Sequence, residues 1–368
     1  MTGRGANRRL KILHIDPERN WGGGEAQVFG LMSWLAARGH QNELLAHPNG
    51  LLFTRCQKVE IIGRPIVLRN DLDLRCVPGL RRLIRSGDYD IVHFHTKRAH
   101  ALSLWLPRFP SRPRYLVTRR MDYPESNNWY THCLYNRRVD GVVAISQNIA
   151  DLLMAAGVTA EKIHVIVSGI EPHRFTAARP AALKLDGAPV VGSVGVLEER
   201  KGHRYLLEAA AKLKRQGLNF KLRIAGDGSL RQSLEQDAVR LGLTDDVQFS
   251  GFVADAAVFL ADLDVFVMPS LFEGLGVAAL EAMAAGKAVI ATKVGGLAES
   301  VVDGVTGILV PPRDSEALAG AIAKIGKQPE LAAAMGQRGR ARVLEHFTLE
   351  QMALKNEAYY YELLGAAN

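Results

Sequence analysis

Short apolar runs recur along the chain, separated by longer stretches in which apolar residues return every three or four positions. The runs fall at Leu10 to Ile15, Asp90 to His95, Tyr115 to Thr118, Gly141 to Ile145, Lys162 to Val167, Pro189 to Val194, Lys221 to Ala225, Asp264 to Met268 and Ala288 to Ala291. Near-continuous apolar runs predict strands buried on both faces, and the periodic stretches predict amphipathic helices. Their alternation predicts an α/β protein built from two Rossmann-like, doubly wound parallel sheets. A chain of 368 residues is long for one core, and two domains of roughly 180 residues suit it better. The stretch from Pro172 to Pro189 is rich in proline and alanine and lacks periodicity. A linker is therefore expected over 172–189, between an N-terminal domain over 1–175 and a C-terminal domain over 186–348. Leu349 to Leu364 reads as a final helix carrying Tyr359, Tyr360 and Tyr361.

One stretch carries more chemistry than any other: Phe272-Glu273-Gly274-Leu275-Gly276-Val277-Ala278-Ala279-Leu280-Glu281, continuing through Ala282 to Gly286. The run Val265 to Met268 before it predicts a strand ending at Pro269, and Val277 to Ala285 predicts a helix closed by Gly286. The unpaired N–H groups around Gly276 and Val277 suit an anion, and glycine lets a phosphate approach the backbone. Glu281 lies one helical turn beyond Val277, where a carboxylate can accept from two vicinal hydroxyls such as those of a ribose. Glu273 can do the same for a sugar ring. Near the N-terminus, Gly22, Gly23 and Gly24 precede a helix predicted from Ala26 to about Arg38 and offer further backbone N–H groups. No segment matches GxGxxG or GxxxxGK[ST], which removes support for a nicotinamide enzyme or a P-loop ATPase. In Asp90-Ile91-Val92-His93-Phe94-His95, alternation puts both histidines on one face, with His95 at the open end. The pair could be half of a zinc site, although no third ligand is evident.

These residues resemble the signature of the family 4 retaining glycosyltransferases, over almost the whole chain. EGLG, the E-x7-E spacing of Glu273 and Glu281, and LEAMAAG carry the likeness, and Leu197 to Gly202 is similar to the family's GRLxxxKG segment. The resemblance implies the GT-B fold, with two Rossmann-like domains facing a central cleft and the last helix crossing back to the N-terminal domain. It implies that Lys201 holds the donor diphosphate. Val196 stands where an arginine is expected, so either Arg200 supplies the second charge or one phosphate contact is weaker. Arg223 to Gly228, with Gly226, and Phe249 to Val253, with Phe252 and Val253, resemble the strand-loop pairs that flank the nucleotide base. Gly23 and Gly24 match the loop facing the donor, and His95 matches a histidine in the active site. The expected reaction is transfer of a sugar from a UDP-, GDP- or ADP-sugar to a hydroxyl of a glycan or lipid-linked acceptor. It proceeds with retention, without a metal or a resident cofactor, in lipopolysaccharide or surface polysaccharide synthesis. His95, Glu273 and Lys201 are the candidate catalytic groups. The alternatives are another GT-B enzyme, such as a nucleotide-sugar epimerase, and a non-catalytic nucleotide-sugar-binding protein. Asp71-Leu72-Asp73 and Asp262-Leu263-Asp264 imitate a metal-binding DxD motif but read as structural.

Charge sharpens the picture on the acceptor side. Residues 1–185 carry 27 basic and 15 acidic residues, 27 − 15 = +12, and residues 186–368 carry 19 and 23, 19 − 23 = −4. Lys97, Arg98, Trp105, Arg108, Phe109, Arg112, Arg114, Arg119 and Arg120 mix cations with aromatics, which suits an anionic membrane surface or a phosphorylated, lipid-linked glycan. Arg119 and Arg120 are the acceptor-binding candidates, because arginines flanking a turn can fork onto phosphate or carboxylate. No nucleic-acid module is recognisable. Three cysteines without motif spacing and no apolar run of ~18 residues point to a cytoplasmic protein, peripheral at the inner face of the membrane.

Overall fold

The computed structural model describes residues 8–59, 61–70, 73–175 and 188–365. The chain divides into two compact units, residues 1–169 with 349–368, and residues 170–348. The linker segment opens on a tight 3-10 turn, Pro172–Phe175. Its residues 176–187, like Asp71 and Leu72 of the first DxD-like pair, lie outside the described residues.

The first unit is a seven-stranded, all-parallel sheet of β1 (Lys11–Asp16), β2 (Gln41–Ala46), β3 (Ile62–Pro65), β4 (Ile91–Phe94), β5 (Arg114–Arg119), β6 (Gly141–Ala144) and β7 (Ile163–Val165), in the order β3-β2-β1-β4-β5-β6-β7. The order reverses between β1 and β4, and open α/β sheets bind ligands beyond the carboxyl ends of strands at such a switch point. Asp16 and His95 stand at those two ends. The helix Gly23–Ala37 begins earlier than its apolar period indicates. Gly22 is its N-cap, and Gly22 N–H donates to Glu25 Oε2 at 2.7 Å. Gly23 and Gly24 are thus the first residues of the helix rather than a loop before it, and their amides are among those without an intrahelical acceptor.

The final helix, Leu349–Leu363, packs onto this unit through Leu349, which seats against Gly30 so closely that a Cβ there would fall 2.6 Å from Leu349 Cδ1. Its three tyrosines divide the work. Tyr359 donates to Lys162 O at 3.2 Å and stacks on His164, Tyr360 is fully buried with its hydroxyl 2.8 Å from His93 Nδ1, and Tyr361 donates to Arg8 O at 2.8 Å. Leu10, Ile12, Leu31, Leu35, Ile91, Leu116 and Val143 complete the core against which they sit.

The second unit is a six-stranded, all-parallel sheet of β8 (Val190–Val194), β9 (Lys221–Ala225), β10 (Val247–Gly251), β11 (Val265–Met268), β12 (Ala288–Thr292) and β13 (Gly307–Val310), in the order β10-β9-β8-β11-β12-β13. Its switch point lies between β8 and β11, whose carboxyl ends lead into the Lys201 turn and the Glu273 loop. The helix His203–Arg215 turns Leu206, Leu207, Ala210 and Leu213 inward at helical spacing. Each buried leucine contributes about 1.5–3 kcal/mol relative to an exposed one. In the second DxD-like pair, Asp264 accepts from Val190 N–H at 2.8 Å and Asp262 pairs with Arg223 at 3.1 Å.

Candidate active site

In the second unit the site is made of turns. β11 ends in Met268 and Pro269, and the loop that follows is pinned at three points. Thr292 Oγ1 donates to Ser270 O at 2.5 Å, Leu271 N–H donates to Arg200 O at 2.7 Å, and Gly296 N–H donates to Glu273 O at 3.0 Å. The loop closes on Gly276, the N-cap of the helix Val277–Ala284, with φ of 86°. A Cβ at Gly276 would stand 2.3 Å from Leu297 Cδ2, so both conformation and space require glycine there. The second bond joins the loop to the 3-10 turn Glu199–Lys201, which ends in left-handed Gly202 at φ 65°, where a Cβ would fall 2.1 Å from Pro269 O. This juxtaposition brings Lys201 to Glu273. Lys201 Nζ forms a short ion pair with Glu273 Oε2, on which Ser270 Oγ also donates at 3.3 Å, and both charged side chains are largely buried. Arg200 is held differently, with its Nε 3.0 Å from Glu198 Oε2, and Val196 is exposed.

Gly274 and Leu275 form the turn between Glu273 and Gly276, and Leu275 is buried. Glu281, one turn into the helix, is half-buried. Burial pushes its carboxyl up to about 7, with Arg174 opposing and Asp255 adding to the shift. Gly226 and Phe252 lie just beyond the carboxyl ends of β9 and β10. Gly226 N–H donates to Gly251 O at 2.7 Å, Phe252 is 58% exposed, and Val253 follows it half-buried. All the donor-side candidates other than the Gly23–Gly24 pair thus gather at the carboxyl-end edge of one sheet.

In the first unit the site is built from buried side chains. The register pairs His14 of β1 with His93 of β4, so His14 joins the two histidines expected from sequence. One nitrogen from each of His14, His93 and His95 lies within 4.8 Å of the others, a spread that metal ligands also have. The third histidine near the i, i+2 pair corrects the expectation that none was at hand. Its signal was out of reach, because inter-strand register is invisible in a single strand. The nitrogens are already hydrogen-bonded. His14 Nδ1 is 2.9 Å from His95 Nε2, and His14 Nε2 is 3.1 Å from Asn42 Oδ1. His93 Nδ1 meets the Tyr360 hydroxyl at 2.8 Å and His93 Nε2 meets Thr118 Oγ1 at 2.7 Å. Only His95 Nδ1 in the trio is without a partner. Burial lowers all three well below the ordinary imidazole range, His14 to about 4, so the cluster is neutral at pH 7.

Beside it lies a second group that sequence reasoning missed. Asp16, at the end of β1, is buried. Loss of water, with Glu25 adding and Arg120 opposing, pushes its carboxyl up to about 7. Arg120 Nη1 donates to His95 O at 3.1 Å. Arg119 is buried, with its guanidinium on Glu125 Oε1 at 2.9 Å and on Tyr123 O at 2.9 Å. The cation-rich run is split between the two edges of the sheet. Arg108 and Arg114 pair with Asp140, and Arg112 pairs with Asp90, acids that precede β6 and β4. Lys97 and Arg98 stand at the other edge, paired with Glu125 and Glu18. The exposed apolar side chains near that edge are Met121, Tyr123, Trp129 and Tyr130, of which Trp129 is 79% exposed. Among the described residues, no helix is long and apolar enough to cross a membrane.

Two parallel doubly wound units, one carrying a buried histidine at a strand end and the other a glycine-capped E-x7-E turn, define the GT-B class of sugar-transfer proteins. The family description Glycosyltransferase Family 4 matches residues 21–174, and Glycosyl transferases group 1 matches residues 174–342. The lipopolysaccharide core biosynthesis glycosyltransferase LpsE of Rhizobium meliloti is 31% identical over 348 residues, covering 93% of this chain and 96% of LpsE. The chain belongs to the family 4 glycosyltransferases. It is also 32% identical to a 2-deoxystreptamine glucosyltransferase of Streptomyces kanamyceticus over 240 residues, 62% of each chain, so it spans less than two thirds of that relative. Among solved structures, Anabaena HepE, crystallised with UDP and glucose, superposes with a TM-score of 0.83 at 23% identity over 96% of this chain and 100% of HepE. A Rickettsia africae glycosyltransferase does so with the same score and identity over 98% and 100%. At that identity these two structures establish the shared fold.

Proposed function

We propose that this glycosyltransferase moves a sugar, with retention and without a metal, from a nucleoside diphosphate sugar to a hydroxyl of a lipopolysaccharide or other surface glycan precursor. The observation that carries the reading is the second unit's switch point, where the Lys201 turn after β8 meets the loop after β11 that carries Glu273, the Gly276–Val277 amides and Glu281. The amides and Lys201 meet the diphosphate, whose negative charge grows as the glycosidic bond breaks. Glu281 accepts from the ribose hydroxyls and Glu273 from the sugar. The exposed ring of Phe252, with Val253 and Gly226 beside it, borders the base. Val196 and the Glu198-paired Arg200 leave Lys201 as the principal cation on the phosphates. Gly23 and Gly24 add helix-terminal amides, and His95 contacts the sugar or acceptor hydroxyl. Departing phosphate, rather than either glutamate, takes the acceptor proton.

Uracil as the base is favoured by HepE, which was crystallised with UDP, and a role in lipopolysaccharide core biosynthesis by LpsE. A lipid-linked acceptor at a membrane surface is supported by the exposed side chains of Met121, Tyr123, Trp129 and Tyr130, with Lys97 and Arg98 at the same edge. The test is transfer to lipopolysaccharide core fragments from a panel of UDP-, GDP- and ADP-sugars in the presence of EDTA, with the anomeric protons followed by NMR. The expected product keeps the donor's anomeric configuration at an unchanged rate. An inverted first product, or activity lost to EDTA and restored by a divalent cation, would overturn the mechanism.

A further inference from the structure

The hydrogen bonds around His14 determine where the protons sit. Asn42 Nδ2 donates to Met32 O at 3.4 Å and to His40 O at 3.3 Å, so the atom it turns to His14 Nε2 is its amide oxygen. An amide oxygen only accepts, and His14 therefore carries its proton on Nε2. Its ring is buried and neutral, which leaves Nδ1 bare. That bare nitrogen faces His95 Nε2 at 2.9 Å with the two rings near-parallel, so His95 Nε2 must be the donor. His95 is neutral as well, and its remaining nitrogen, Nδ1, is a buried acceptor with no donor. His93 cannot replace it, because both His93 nitrogens are engaged by Tyr360 and Thr118.

We propose that Asn42 and His14 are positioning residues that lock His95 in its Nε2–H tautomer, so that Nδ1 is presented as a hydrogen-bond acceptor to a hydroxyl of the sugar or acceptor. The second half of this inference rests on the proposed contact of His95 with substrate, and the first half does not. Nδ1 held in this form orients a hydroxyl without removing its proton, and the acceptor's reacting hydroxyl, whose single proton passes to the departing phosphate, is not the one it holds. A reversed tautomer would point an N–H at the same hydroxyl and invert the demand made on the ligand.

The experiment uses the full chain labelled with 15N-histidine, with His95 assigned by its loss in His95→Gln. In the free protein at pH 7, long-range 15N–1H correlations should show His95 with a protonated Nε2 and a bare Nδ1. That pattern should give way to mixed tautomers in folded Asn42→Leu and His14→Phe. A protonated Nδ1 in the wild type, which needs no variant to detect, would overturn the relay, as would an unchanged pattern in both variants. Saturation with a donor found by thermal shift, with acceptor added, should move the His95 Nδ1 resonance. A resonance that stays in place while the donor binds would overturn the ligand half and leave the relay standing.

Discussion

The two units solve the same problem with opposite materials. At the switch point of the second unit the functional groups come from one contiguous run, Leu271 to Glu281, and a neighbouring turn, and much of the chemistry is backbone. At the switch point of the first unit they come from β1, β2, β4, β5 and the final helix, and nearly all are buried side chains already bonded to one another. The Lys201–Glu273 pair also differs in kind from the histidine cluster. It sets a cation against an anion, so a diphosphate at the proposed site would compete with Glu273 for the lysine. The histidine cluster is neutral and offers a fixed pattern of donors and acceptors. On the proposed reading, the second unit meets the diphosphate with Lys201 and the donor's hydroxyls with Glu273 and Glu281, and the first unit offers one fixed, neutral acceptor at His95.

The contrast can be broken most forcefully at Lys201. Replacing it by alanine removes a charged hydrogen bond worth about 1.5–3 kcal/mol and takes the lysine cation away from Glu273. Donor affinity measured by calorimetry should fall about ten- to a hundredfold, while His95→Gln should leave it within a few-fold. Comparable losses in both variants would erase the division of labour. Gly276→Ala forces a left-handed residue and a clash with Leu297. It should destabilise the second unit by ~1–3 kcal/mol in urea unfolding and weaken donor binding in parallel.

A change of pH tests Glu281 without disturbing the fold. Its carboxyl is pushed up to about 7, and two ribose hydroxyls need the ionised form as acceptor. Donor affinity should therefore rise with pH through neutrality, by up to about tenfold between pH 6 and 8, and the slope should vanish in Glu281→Gln. The sign for folding is opposite. Because the native carboxyl binds its proton more tightly than the unfolded one, its contribution to stability declines from about pH 4.3 up to about 7. The smallest effect is expected from Tyr360→Phe, which removes one hydroxyl from His93 at a cost of about 0.5–1.5 kcal/mol. Its unfolding curve should shift while donor affinity remains unchanged.

The same contrast explains what could be read from the chain. The Glu273–Glu281 turn and the Lys201 turn were legible because strand, glycine and helix follow one another in sequence. The helix Leu349–Leu363 was visible too, through its aromatic content. β2 escaped notice because its Asn42 and Glu43 look like solvent-facing residues. Both are buried, Asn42 on His14 and Glu43 on Arg64 and Tyr89. The edge strand β3 and the short β13 lack enough apolar pattern to stand out. His14, Asp16 and Tyr360 gain their meaning only from strand register and from a helix that returns to the sheet from the far end of the chain. Arginines at 108, 112 and 114 were read with Arg119 and Arg120 as one run, but acids at the strand starts draw them to the other edge.

The most direct test of the central claim, that the second unit's turn is a nucleotide-sugar clamp, is thermal stabilisation by UDP-, GDP-, ADP- and TDP-sugars without added metal. A donor present at about a hundred times its Kd should stabilise the native protein by ~2.7 kcal/mol. The account predicts such a shift with one donor class and its loss in Glu281→Ala. A shift of full size in Glu281→Ala would contradict it.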